Sequence, residues 1–146
     1  MRYDEYASSL KLAVEKLDDS ILFLVQDAAN LLEEFWADVK ARNQFAPFAF
    51  NIQKQGNSTY RIRWVAMYKP KPGNSTGFTR VKANHINKGK GDSYFLRQLT
   101  GCPVWFEVLF NKYEPQLTEI RKAIRQNRAV RGRLSKMVTE YGKMSN

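Results

Sequence analysis

A strict seven-residue repeat of apolar side chains over the first 35 residues constrains this chain more than any other feature. The repeat runs through Tyr3, Ala7, Leu10, Val14, Leu17, Ile21, Leu24, Ala28, Leu31 and Phe35. Leucine occupies four successive places at one heptad position, and the other includes the β-branched residues Val14 and Ile21, as parallel two-stranded coiled coils prefer. We therefore predict one long helix over residues 1–43. Its seam is a candidate interface with a partner protein or a second copy of the chain, through Leu10, Val14, Leu17, Ile21 and Leu24.

A second apolar stripe in the later half of this helix favours packing within the chain instead. It is formed by Leu22, Val25, Ala29, Leu32 and Trp36, and a helix that is apolar on two stripes is buried on two sides. Forty residues of helix extend ~60 Å, whereas a compact domain of this length has a radius of gyration of ~15 Å. The helix is therefore expected either to protrude and pair, for example as a homodimer, or to break near residues 18–20.

Three short segments in the middle of the chain show the periodicity of strands. They are Phe48–Ile52, Tyr60–Tyr68 and Phe78–Ile86. The second alternates clearly, with aromatic and aliphatic side chains on one face and Arg61 and Arg63 on the other. Gly-Asn-Ser-Thr sequences at 56–59 and 73–76 supply the residues that hairpin turns need. Residues 44–99 are therefore predicted to form a small basic antiparallel sheet with its loops.

The last segment, residues 100–142, has the apolar spacing of a second long helix. Pro115 lies inside it and lacks an N–H group, so we expect a kink or a break there. Gly142 is predicted to end the helix. The predicted fold is a single α+β domain in which two long amphipathic helices flank a small antiparallel sheet, in the order α-β-β-β-α.

Basic charge is concentrated in the later two thirds of the chain. Residues 1–50 carry five basic and nine acidic side chains, whereas residues 51–146 carry 19 basic and five acidic ones. A net charge of this size in one region favours an anionic partner, although a solvated surface is the simpler alternative. Nucleic acid is the favoured partner because the basic residues alternate with aromatic residues on the predicted strands.

The strongest candidate site lies on two neighbouring predicted strands. Arg61 and Arg63 belong to one strand, and Arg80 and Lys82 to the other. Alternate residues share a strand face, so the four cations would line one ribbon if the two faces coincide. A two-stranded ribbon fits the major groove of duplex DNA, where arginine reads guanine and lysine holds phosphate. An ordinary solvated sheet face is the alternative.

Two further basic groups are candidates for contact with DNA phosphates. Lys88 and Lys90 belong to a glycine-rich loop over residues 87–91, where small residues let backbone N–H groups approach a phosphate. A flexible solvated turn is equally compatible with this loop. Helical spacing predicts a third group on one side of the C-terminal helix, away from its apolar stripe, formed by Arg121, Arg125 and Arg128.

The counts of reactive residues argue against an enzyme. His85 is the single histidine and Cys102 the single cysteine, too few for a His/Cys zinc site. Asp92 is the single acid in residues 51–100, so a hydrolytic metal site is not expected. The longest apolar runs are five residues, far short of the ~20 that a membrane span needs. We therefore expect a cytoplasmic, non-membrane protein without catalytic residues, metal or cofactor.

The stretch from about Tyr60 to Tyr141 resembles the MobI family of auxiliary proteins for conjugative DNA transfer. The positions behind the resemblance are Arg63-Trp64, His85-Ile86-Asn87-Lys88-Gly89, Tyr94, Trp105-Phe106-Glu107, Ile120-Arg121, Leu134 and Tyr141. The resemblance implies a non-enzymatic factor that helps a relaxase act at the transfer origin of a conjugative plasmid or integrative element. The acidic N-terminal heptad segment lies outside it.

Charge and resemblance together favour an accessory factor that binds duplex DNA and recruits a relaxase or other DNA-processing protein. Two alternatives stay open. One is a sequence-tolerant RNA-binding or single-strand-binding protein, because mixed aromatic and basic strands suit base stacking. The other is a protein-interaction adaptor, whose long helix docks a partner and whose charge only aids solubility.

Overall fold

The computed structural model describes residues 2–56, 59–69 and 82–144, with Lys82 described by its backbone alone. The elements, in chain order, are α1 (Tyr3–Arg42), β1 (Phe48–Gln55), β2 (Thr59–Tyr68), β3 (Lys82–His85), a short 3-10 helix (Leu96–Gln98) and α2 (Val104–Lys143). The predicted α+β class and the order α-β-β-β-α are therefore confirmed. Neither helix is long and apolar enough to cross a membrane within these described ranges.

The two 40-residue helices pack side by side in opposite directions. Three contacts mark the length of this hairpin: Tyr6 with Tyr141, Asp18 with Arg128, and Asp38 with Lys112. The helix α1 passes through residues 18–20 without a break. The helix α2, which has the same length, packs along α1 and supports it as a continuous helix.

The heptad seam of α1 is largely covered inside the chain. One of its two positions is buried throughout, at Ala7, Val14, Ile21, Ala28 and Phe35. The other position is half-buried at Leu10, Leu17 and Leu24. Val14 and Ile21, which are 8% and 2% exposed, are therefore not open to a partner helix. Their assignment to an external interface is corrected to packing within the chain.

The sheet is antiparallel with β2 at its centre, in the order β1-β2-β3. The predicted alternation along β2 is present, since Ile62 and Trp64 are buried and Arg61 is exposed. Trp64 pairs with Phe50 across the strands and is fully buried in an aromatic cluster. Rings from both helices complete this cluster, at Phe35, Phe106, Phe110 and Tyr113. The sheet is thus packed against the end of the helical hairpin where α1 ends and α2 begins.

The register between β2 and β3 separates residues that were predicted to lie together. Val65 pairs with His85, and Tyr68 pairs with Lys82. Lys82 is thus paired five positions along β2 from Arg63, a distance of ~17 Å at ~3.3 Å per residue. The predicted ribbon, in which Lys82 lies beside the arginines of β2, is therefore wrong. Its fourth member, Arg80, lies outside the described residues, as do positions 78–81 of the predicted third strand.

The helix α2 continues through Pro115 without interruption, so the predicted break is not present. Proline removes the hydrogen bond to the carbonyl group four residues earlier, at Asn111. Both Asn111 and Pro115 are exposed, so water can satisfy that carbonyl group. The buried neighbours Tyr113 and Leu117 hold this turn of the helix on the core. The helix ends at Lys143, one residue beyond the predicted stop at Gly142.

Candidate nucleic-acid interface

A cleft of about 790 Å³ opens between β2, the loop after β3 and the middle of α2. Among the described residues, its lining contains a single carboxylate, that of Asp92, and six cationic side chains: Arg61, Arg63, Lys88, Arg121, Arg125 and Arg128. We call this the basic cleft. Six of the nine basic residues predicted from the sequence are therefore brought together from three separate segments of the chain.

Arg61 and Arg63 line the strand side of the basic cleft. Arg61 is exposed and makes no hydrogen bond or ion pair among the described residues. Arg63 donates a hydrogen bond to the side-chain oxygen of Gln53, and its Nη2 lies 3.3 Å from Nε2 of His85. The Nε–H group of Arg63 is buried and has no partner within the described residues. Both arginines extend from β2, and neither forms an ion pair with a described carboxylate.

Arg121 is a buried side chain, so its predicted position on an open side of the helix, away from the apolar stripe, is wrong. Its side chain is only 7% exposed. Its Nε donates to the carbonyl oxygen of Ile62 at 2.8 Å, and its Nη1 donates to Glu114 Oε2 at 2.9 Å. The guanidinium also lies over the ring of Tyr94, 4.9 Å from its centre. Nη2, by contrast, is buried without a partner in the described part of the chain.

Glu114 is the residue that makes a buried arginine tolerable here, and sequence reasoning missed it. Its Oε1 accepts a hydrogen bond from Trp64 Nε1 at 2.9 Å. Its Oε2 accepts from the backbone N–H of Tyr94 at 3.0 Å, the hydroxyl of Thr118 at 2.8 Å, and Arg121. A buried charge costs much less when it is paired and hydrogen-bonded. The available signal was an acidic residue inside an apolar stripe, two turns before an arginine.

The other two arginines of the predicted α2 group have different roles from each other. Arg125 has a 60% exposed side chain and pairs with Asp92, with Nη2 at 2.9 Å from Oδ2. This hydrogen bonding lowers the pKa of Asp92 and raises the pKa of Arg125. Arg128 is 15% exposed and donates to Asp18 Oδ1 at 3.0 Å and to the carbonyl oxygen of Leu17 at 3.3 Å. Arg128 therefore joins α2 to α1, and the three arginines do not form the single open basic side of the helix that was predicted.

The loop after β3 is an ordered turn on the rim of the cleft. Gly89 adopts a φ of 87°, and its N–H donates to the side-chain oxygen of Asn87 at 3.0 Å. Gln98 donates from Nε2 to the carbonyl oxygen of Lys88 at 2.8 Å and to that of Asn87 at 3.2 Å. Glycine suits this left-handed conformation because it has no Cβ. The hydrogen bonds give the loop a defined shape, unlike the flexible turn that the sequence also allowed.

The two lysines of this loop differ in environment. Lys88 is half-buried, lines the basic cleft and donates from Nζ to the carbonyl oxygen of Gly91. Burial, followed by the nearby charge of Arg121, lowers the pKa of Lys88. Lys90 is exposed and lies outside the cleft lining. The loop therefore offers one cation inside the cleft and one beside it.

One comparison with known proteins found a match. A protein-family model described as MobI protein matches residues 24–135, which is most of the chain. This range includes the second half of α1, the sheet, the basic cleft and most of α2. The match therefore begins earlier than the resemblance near Tyr60 indicated. No curated protein and no solved structure was found to match.

Proposed function

The chain belongs to the MobI family, and we propose that it is a non-enzymatic accessory factor that binds DNA at the transfer origin and helps a relaxase act there. Family membership supports a role in conjugative mobilisation. The DNA-binding part of the proposal rests on one observation, the meeting of six cations around one cleft. The proposed site of action is the cytoplasm, and the proposed partners are duplex DNA and a relaxase or other DNA-processing protein.

The cations that form no ion pair within the protein are the best candidates for contact with DNA. Three of the cleft cations already share carboxylates with the chain itself, namely Arg121, Arg125 and Arg128. Arg61, Arg63 and Lys88 have no described carboxylate partner, and Lys90 stands exposed in the same loop. Unneutralised cations are the groups that gain most from meeting DNA phosphates, because they release counterions without breaking internal ion pairs. These four residues are the proposed phosphate contacts.

The test is fluorescence anisotropy with a labelled transfer-origin duplex and a random duplex of equal length. Neutralising ~4 phosphates should cost roughly a hundredfold in affinity for a fourfold rise in salt. The double variant Arg61→Ala/Lys88→Ala should bind more weakly and depend less steeply on salt. A matched control, Lys40→Ala/Lys136→Ala, removes two exposed cations outside the cleft lining and should bind nearly as well as the unchanged protein.

Two results would overturn the proposal. Absence of binding to either duplex at low salt would leave the charge as a solubilising surface and favour an adaptor that binds protein alone. Equal weakening by the cleft variant and by its control would mean that binding follows net charge and does not use the basic cleft. A preference for the origin duplex over the random one would support the origin-specific part of the proposal.

A further inference from the structure

We propose that the basic cleft holds one unpaired nucleotide of a DNA strand, with the phosphate among its cations and the base on its apolar floor. This inference deepens the proposed function and rests on it, since it names the form of DNA that enters the site. The proposed phosphate contacts at the rim can still hold the duplex on either side of that nucleotide.

The shape of the basic cleft favours a single nucleotide over a duplex. Its volume of about 790 Å³ lies in the range of sites that enclose small ligands, ~300–1,000 Å³. Duplex DNA is read by elements that protrude into a groove, whereas this site is recessed between a strand, a loop and a helix. A base can reach a recessed floor only when it is unpaired or turned out of the stack.

The floor of the cleft has the chemistry that a base needs. Three isoleucines line it, at Ile62, Ile86 and Ile124, together with the aromatic residues Tyr60 and Tyr94. Tyr60 is half-buried on β2 and lines the cleft. Aromatic rings stack on any base through its π-face. An inorganic anion would gain nothing from this apolar and aromatic surface.

Two arginines that line the cleft each carry a buried donor that lacks an acceptor among the described residues. Nε of Arg63 and Nη2 of Arg121 are both buried and unpartnered among the described residues, and the Arg121 side chain is more than nine-tenths buried. Unsatisfied buried donors are uncommon in folded proteins and often mark a missing ion or ligand. A phosphate oxygen is an anionic acceptor, and charge-assisted hydrogen bonds from arginine to phosphate are strong. The negative charge of a phosphate would also stabilise the charged form of Lys88, whose pKa is lowered by burial.

The experiment compares three labelled DNA ligands of about twelve nucleotides by anisotropy at low salt. These are a thymidine strand, a strand of equal length made entirely of abasic sites, and a blunt duplex. Stacking of one base is worth ~1–3 kcal/mol, so the thymidine strand should bind about tenfold more tightly than the abasic strand. Tyr60→Leu, which keeps an apolar side chain of similar bulk, should remove that difference. Arg61→Ala/Lys88→Ala should weaken both strands, and Lys40→Ala/Lys136→Ala should weaken neither appreciably.

A second measurement uses the unchanged protein and does not depend on a variant that folds. A strand carrying one 4-thiothymidine is irradiated, and the crosslinked peptide is identified by mass spectrometry. The proposal expects the crosslink on β2 near Tyr60 or on the loop of residues 85–89. A crosslink confined to α1 would overturn it.

The outcomes separate this inference from the proposed function. If the thymidine and abasic strands bind with equal affinity, and the variant Arg61→Ala/Lys88→Ala loses this binding, the cleft binds phosphate but no base. That result would overturn this inference and leave the proposed function standing. Tighter, cleft-dependent binding of the duplex would do the same while supporting the proposed function. A uridine RNA strand bound tenfold more tightly than the DNA strand would overturn the choice of DNA. Absence of binding to every DNA ligand would overturn both proposals.

Discussion

Glu114 and Arg121 stand seven residues apart on α2 and form a buried ion pair, with Oε2 and Nη1 2.9 Å apart. Their side chains are 5% and 7% exposed. Through Trp64 and the backbone of Tyr94, the carboxylate also reaches β2 and the segment that follows the loop. One carboxylate therefore joins α2 to β2 and to the segment that follows the loop.

Removing the charge of Glu114 should destabilise the whole domain. Glu114→Gln keeps the shape of the side chain but leaves Arg121 buried without a counter-ion, and breaking a buried pair in this way costs about 3 kcal/mol or more. Urea unfolding followed by circular dichroism measures the loss. Glu119→Gln is the control, because Glu119 is an exposed acid on the same helix. Equal unfolding midpoints for the two variants would contradict a structural role for the ion pair.

Acid should loosen the helical hairpin through Asp18. The hydrogen bond from Arg131, together with that from Arg128, lowers the pKa of Asp18 below its ordinary value of 3.8. A carboxyl group whose pKa is lower in the folded protein stabilises the fold at any pH above its unfolded-state pKa. This stabilisation is lost as the pH falls through its folded-state pKa. The urea midpoint should therefore fall as the pH drops below about 4.

The matched variants for this pH effect are Asp18→Asn and Asp19→Asn. Asp19 is exposed and makes no ion pair among the described residues, so its replacement should leave the pH dependence of the midpoint intact. Asp18→Asn should be less stable at neutral pH and should show a flatter acid profile. An acid profile unchanged by Asp18→Asn would show that other carboxylates carry the effect.

Arg128 should matter to stability more than an exposed arginine does. Arg128→Ala removes hydrogen bonds to Asp18 and to the carbonyl oxygen of Leu17. Hydrogen bonds that involve a charged group contribute ~1.5–3 kcal/mol, so a loss of about 2 kcal/mol is expected in urea unfolding. Arg133→Ala, at an exposed position of the same helix, should change the stability little. A larger effect at Arg133 would contradict the assignment.

Replacing the strand arginines, Arg61 and Arg63, should weaken DNA binding and leave the stability of the fold nearly unchanged. The double variant Arg61→Ala/Arg63→Ala should keep its circular dichroism spectrum, because neither residue has a described carboxylate partner. Each cation that binds a phosphate contributes about one to the salt slope of DNA binding, so this double variant should reduce the slope by about two. Anisotropy at several salt concentrations measures the slope. Unfolding of this variant would mean that the arginines are structural and that the strand side of the cleft is misassigned.

The α1 seam provides a test of whether the chain needs a second copy to cover it. Ile21 is 2% exposed and Phe23 is 76% exposed, so Ile21→Ala should cost about 3 kcal/mol and Phe23→Ala very little. Urea unfolding at protein concentrations that differ a hundredfold measures both the stability of these variants and any dependence of stability on dimerisation. A midpoint that rises with concentration would indicate a dimer and contradict a seam covered within the chain.

Local periodicity was enough to predict the two helices and the strand that alternates around Trp64. It succeeds there because the apolar repeat of a helix or strand is set by backbone geometry and is visible within a few turns. The uneven charge also pointed to six residues that do meet in one cleft. None of these inferences required knowledge of which segments touch.

The tertiary structure decided everything that depends on distant neighbours. Arg121, Arg125 and Arg128 have one helical spacing, yet one is buried on Glu114, one is exposed, and one reaches α1. The register of β3 moved Lys82 away from Arg63. Burial, register and pairing arise between segments far apart in the chain, because each needs a partner that local sequence does not contain. By itself the sequence therefore determined the elements and their charge, and only the packing of α2 against β2 and α1 decided which arginines are structural and which face the cleft.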